Sequence, residues 1–119
     1  MNNKPSQWDV LIYQNEKGDT KVDVYYINDT VWMTQKQIAA LYDKSVKTIS
    51  MHIKNIYDDG ELFTKSTFQY HEIVQSEGTR AISRKTNLYN LDMILAIGYR
   101  VRSSVGNQLR NWDSSILKE

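Results

Sequence analysis

The segment Thr34–Ile56 constrains this chain most, because its apolar spacing demands two short helices packed across a tight turn. Ile38, Leu41 and Tyr42 recur at helical spacing. Thr34 precedes them as a natural N-cap for a helix over Gln35–Tyr42, with Gln37 placed to complete a capping box. Ala39 is small enough for a second helix to cross closely. Asp43 and Lys44 carry the turn, and Asp tolerates a positive φ better than most residues. Ser45 can cap the second helix by accepting from the amide of Val46, Lys47 or Thr48. That helix extends to Tyr57, with Val46, Ile49, Ile53 and Ile56 facing inward. Asp58-Asp59-Gly60 stops it, Gly60 being able to take the left-handed conformation.

This is the spacing of a helix-turn-helix. The second helix then presents Ser45, Lys47, Thr48, Ser50, Met51 and Lys54 outward, a short, polar and cationic set suited to the major groove of duplex DNA. Lys47 and Lys54 would bond phosphates or guanine O6/N7. Ser and Thr would take bases or phosphates, and Met51 a thymine methyl. The plain alternative is a helix pair whose charged face is simply solvated. His52 lies between the two faces and is expected to be a packing histidine with a satisfied ring nitrogen. His71 is expected at the surface.

The flanks supply strands. Residues 1–7 are expected to form a flexible tail. Trp8–Tyr13, Thr20–Ile27 and Val31–Met33 are rich in β-branched and aromatic residues. Turns at Asn15–Asp19 and Asn28–Thr30 join them into an antiparallel meander over 8–33, with Val22, Val24 and Tyr26 on one face. After the helix-turn-helix of 34–60, the period changes to two. Phe68, Tyr70, Glu72 and Val74 alternate with Gln69, His71, Ile73 and Gln75, and Ser76–Thr79 makes a tip. Residues 66–89 thus read as a hairpin wing carrying Arg80, Arg84 and Lys85. Asn90 can cap a helix over Leu91–Arg100. Ser103 or Ser104 can cap a last one through Leu109, Trp112, Ile116 and Leu117. The expected fold is α+β: one domain over 1–119, a winged helix-turn-helix with an N-terminal antiparallel β-meander and C-terminal helices over 90–119.

Composition narrows the chemistry. A chain of 119 residues, 40% hydrophobic, with three Trp, eight Tyr and two Phe, can bury a core. The absence of cysteine excludes disulfides and cysteine-ligated zinc, and two separated histidines make a poor metal site, so no metal or cofactor is expected. No nucleophile–base constellation and no Gly-rich phosphate loop stand out, so the chain does not read as an enzyme. No apolar run approaches the ~20 residues a membrane helix needs, and the N-terminus lacks an apolar signal core; a cytoplasmic location and no membrane partner are expected. Net charge is only +1, but residues 79–111 hold Arg80, Arg84, Lys85, Arg100, Arg102 and Arg110 against the single acid Asp92. Phosphate binding responds to such local density. Wing cations are equally the default of any exposed sheet, and Arg100 is better read as answering a helix C-terminal dipole.

Two blocks of the chain look familiar. Val31–Tyr42, Ile49–Tyr57 and Glu61-Leu62 form the first; Leu88–Ser103 and Gln108–Trp112 form the second. Together, across residues 8–118, they resemble the RhuM family of bacterial virulence-associated proteins. The resemblance implies the N-terminal domain of longer proteins, a DNA-binding-like region and no enzyme activity. Many members have Gly where Asp43 stands, which implies a slightly strained turn here. Two functions follow as expectations. One is a DNA-binding domain of a regulator or a mobile-element-associated protein. The other is a protein-interaction module that reuses the winged-helix shape, with Trp112, Ile116 and Leu117 of the C-terminal helix packing against a second copy in a homodimer or against downstream sequence.

Overall fold

A computed structural model describes residues 8–14, 18, 21–27 and 29–117, without the side chains of 8, 9, 75–77, 116 and 117. The expected tail over 1–7 and most of the expected Asn15–Asp19 turn lie outside the described residues. Three strands come first: β1 (Trp8–Gln14), β2 (Lys21–Ile27) and β3 (Thr30–Met33). Helices α1 (Gln35–Tyr42), α2 (Val46–Asp58) and the short α3 (Thr64–Thr67) follow. The hairpin β4 (Phe68–Glu77) and β5 (Arg80–Asn90) leads into α4 (Leu91–Arg100) and α5 (Val105–Leu117). All strand pairings are antiparallel, in one five-stranded sheet ordered β1-β2-β3-β5-β4. The molecule is therefore α+β.

Local chemistry sets the helix boundaries. Thr34 Oγ1 accepts from the Gln37 amide at 3.0 Å, and Gln37 Oε1 accepts from the Thr34 amide at 2.9 Å, completing the capping box. Asp43 ends α1 in the left-handed region at φ 56°. Ser45 Oγ accepts from the Thr48 amide at 3.0 Å. Gly60, at φ 72°, turns the chain away after α2. Asn90 Oδ1 accepts from the Met93 amide at 3.2 Å. The turn of helix at α3 has no counterpart in the sequence reading. Its Thr67 is 1% exposed, donates to the Phe63 carbonyl at 2.7 Å and meets the Tyr57 hydroxyl at 2.9 Å. A single buried threonine thus fixes the link between α2 and β4.

The sheet buries side chains on both sides. Tyr13, Val22, Val24, Val31, Met33 and Tyr89 face the helices and pack with Ile38, Ile49, Ile56, Ile94, Ile97 and Leu109. On the other face Tyr25, Ile27, Trp32, Ile73 and Leu88 form a second buried cluster. Val22 and Val24 do share the helix-side face, with Tyr26 partly buried against it. Val46 departs from its expected inward place: it is 45% exposed, because the first residue of α2 overhangs the core and the inner stripe begins only at Ile49.

Three helices meet at one hydroxyl. Tyr42 Oη donates to the Ile94 carbonyl at 2.6 Å, in the interior. A Cβ on Gly98 would lie 2.5 Å from that oxygen, and one on Gly106 would lie 3.1 Å from it. Glycine at 98 is what lets α1 seat its tyrosine against α4. Burial pushes the Tyr42 hydroxyl far above its ordinary pKa, with a smaller contribution from Tyr13, so it stays a neutral donor.

Candidate nucleic-acid interface

The outer face of α2 is a stripe. Lys47, Met51, Lys54 and Asp58 follow one another at helical spacing, all exposed, opposite the buried Ile49, Ile53 and Ile56. Ser50 is exposed beside them and Thr48 is half-buried. Met51 is 52% exposed, an apolar side chain set among polar neighbours. Lys47 makes no ion pair among the described residues. Ser45 is exposed, but its hydroxyl is engaged twice, accepting from the Thr48 amide and donating to Thr48 Oγ1 at 2.9 Å. Lys54 is engaged too: its Nζ sits 2.6 Å from Asp58 Oδ2. That hydrogen bond, and secondarily the charge behind it, raises the Lys54 pKa. His52 is half-buried, but its Nδ1 is enclosed without a partner, so the expected satisfied nitrogen is not found at that atom.

The charges on α2 run against its dipole. No acid stands in the first turn and no base in the last. Lys47 occupies the positive end; Asp58 occupies the negative end, followed by Asp59 and Glu61. Helix stability favours the opposite order, and a lysine preceding an acid by four residues is also the weaker arrangement of such a pair. The consequence is a polarised surface, cationic around Lys44 and Lys47 and acidic beyond Lys54. Arg100 closes the acidic end, its guanidinium 3.1 Å from Asp59 Oδ2 and 3.0 Å from Glu61 Oε1. It therefore ties α4 to the loop after α2, where the sequence suggested only a dipole partner.

The hairpin splits its three candidate cations. Alternation from the buried Tyr89 puts Lys85 on the helix side, opposite Glu72. Lys85 Nζ lies 4.2 Å from the centroid of the Tyr70 ring, and Ser83 donates to Glu72 at 3.3 Å. Tyr70 and Val74, 56% and 65% exposed, share that side. Arg80 and Arg84 leave from the other face, with Ile73 and Leu88. The sequence reading grouped the three without assigning faces. It also gave Asp58 only a helix-stopping role and Lys44 only a place in the turn; the four-residue step from Lys54 to Asp58 was the signal for the first.

Residues 66–119 match the family model described as virulence protein RhuM family, which spans the hairpin, α4 and α5. Over this stretch, which is less than half of the chain, the sequence is similar to that family. No curated protein and no solved structure matches the chain. The RhuM match covers the second of the two blocks that carry the resemblance, whereas α1 and α2 lie before it. Of the candidate contacts, Arg80, Arg84 and Lys85 fall inside the matched stretch and the α2 residues outside. The fold joins the two parts directly. Trp32 and Met33 of β3 pair with Asn90 and Tyr89 of β5. Gln35 Nε2 donates to Tyr89 Oη at 3.3 Å. Within the matched stretch, Trp112 is half-buried and meets the Tyr13 ring edge-on, at 5.4 Å and 72°. The side chains of Ile116 and Leu117, the other expected dimer contacts, lie outside the described residues. Among the described residues, no helix is long and apolar enough to cross a membrane.

Proposed function

We propose that this chain is a DNA-binding module of a virulence-associated protein, entering the major groove with α2 and flanking it with the β4–β5 hairpin as a wing. The observation that carries the reading is the outer stripe of α2. It takes no part in the core, it presents Lys47, Ser50 and Met51 to solvent, and its charges oppose the helix dipole. A solvated helix face gains nothing from that arrangement; a face that meets a polyanion near its N-terminal end does. The topology supports the same reading. A helix pair lies between β3 and β4, and the strands pair in the order β3-β5-β4, which is how a winged helix places its wing beside its recognition helix.

In this reading the chain binds and does not catalyse. Lys47 contacts phosphate or guanine, Ser50 contacts a base edge or phosphate, and Met51 meets a thymine methyl. Lys85 reaches backbone phosphate from the helix side of the hairpin. Fluorescence anisotropy with a random-sequence duplex pool tests it. Binding is expected to be salt-sensitive, and Lys47→Ala is expected to reduce the slope of log affinity against log salt by about one. No binding to any duplex at about 50 mM salt removes the reading, since electrostatic attachment is strongest there.

A further inference from the structure

We infer that Asp58 competes with DNA phosphate for Lys54, so that this one carboxylate sets how tightly, and with what salt dependence, α2 holds a duplex. The inference rests on the DNA-binding reading and adds an opposing residue to it. Lys54 and Asp58 are one turn apart on the outer stripe, joined at 2.6 Å. Their side chains are 74% and 58% exposed, so neither is shut away from a ligand approaching that face. A phosphate within reach of Lys54 must displace the carboxylate from the ammonium and then lie within one helical turn of its negative charge. Both effects weaken the contact.

The other acids near the end of α2 are already engaged. Asp59 and Glu61 are held by Arg100. Asp58 is the acid directed along the stripe toward Lys54. Its position is not explained by helix stability, because it stands at the negative end of the dipole and follows its lysine in the weaker order. Lys54 therefore differs from Lys47. The latter is free to neutralise phosphate, whereas the former is masked until Asp58 is removed or displaced.

A double-mutant cycle read by anisotropy across a salt series tests this on the whole chain, using a duplex recovered from the random pool. Asp58→Asn is expected to tighten binding several-fold and to steepen the salt slope by about 0.9, the increment for one added phosphate contact on B-DNA. Lys54→Ala is expected to leave the salt slope close to wild type and to weaken binding slightly, since the Asp58 carboxylate is then unpaired. The double variant is expected to gain far less affinity than Asp58→Asn alone and to keep the salt slope of Lys54→Ala, because the added phosphate contact is made by Lys54. Equal tightening by Asp58→Asn with or without Lys54 reduces Asp58 to a distant charge and overturns the inference. So does a salt slope reduced by about one in Lys54→Ala alone, which would place Lys54 on phosphate already. Both results leave the DNA-binding reading intact. A wild-type chain that binds no duplex removes that reading and this inference together. Unchanged unfolding curves for all variants exclude a folding origin for any difference.

Discussion

Two buried residues carry chemistry that can be weighed atom by atom. Gly98 sits in the middle of α4, where alanine would ordinarily gain about 1 kcal/mol of helix propensity. Here the added methyl would lie 2.5 Å from a hydroxyl already pinned by its 2.6 Å bond to the Ile94 carbonyl. Overpacking of this kind costs about 1–3 kcal/mol, which outweighs the propensity. Gly98→Ala is thus expected to lower the urea midpoint, and to lower it less in a Tyr42→Phe background, where the nearest clashing atom is gone. Asp113 is the second case, 6% exposed with one carboxylate oxygen buried and unpartnered. Burial raises its pKa above the ordinary 3.8. The folded state then holds the proton more tightly than the unfolded one. Stability conferred at low pH is therefore lost as pH rises from 3.8 through the raised folded value. Asp113→Asn is expected to unfold at higher urea than wild type at pH 7, with the two curves converging toward about pH 3.5.

At the scale of the element, α2 sets a core-facing stripe against an outer stripe proposed to meet DNA. The hydroxyl of Ser45 caps the helix, and loss of such a cap costs about 1 kcal/mol. Ser45→Ala is expected to lower stability and duplex affinity together. Ser45→Asp retains a good capping oxygen and adds a negative charge at the end proposed to face phosphate. Thermal unfolding of Ser45→Asp is expected to stay near wild type while its duplex affinity falls; unchanged affinity would remove Ser45 from the interface. Elements were also where the sequence spoke most clearly. The bounds of α1, the capping residues Thr34, Ser45 and Asn90, and the left-handed Asp43 and Gly60 all depend on bonds reaching only a few residues along the chain. Alternating residues marked the hairpin for the same reason. Val46 was placed on the wrong face and α3 went unread because each depends on what lies across from it: the edge of the core for one, the buried Thr67 contact with Tyr57 for the other.

The whole molecule is a sheet used on both faces, and this could not be foreseen from alternation. Alternation in β2 suggests one buried side, yet Val24 and Tyr25 are both buried, Val24 in the helix-side core and Tyr25 among Ile27, Trp32, Ile73 and Leu88 on the other face. The helix-free face should matter as much as the helical one. Leu88 on that face is 0% exposed, like Ile97 on the other. Leu88→Ala is expected to cost about 2–5 kcal/mol, and the two faces to unfold in one transition by tyrosine and tryptophan fluorescence and by circular dichroism. A small loss would mean that the second cluster is peripheral.

The sequence by itself determined the helix pair, the caps, the hairpin and the exposed face of α2, because each is written in contacts a few residues apart. Only the tertiary structure decided which side of the hairpin faces the helices, and hence that Lys85 parts company with Arg80 and Arg84. It alone brought Arg100 to Asp59 and Glu61, and Gly98 to Tyr42. Those pairings join segments about 40 residues apart or more, and depend on how α1, α2 and α4 stack on the sheet. No local periodicity encodes that stacking; it is set by the volume the buried side chains fill together.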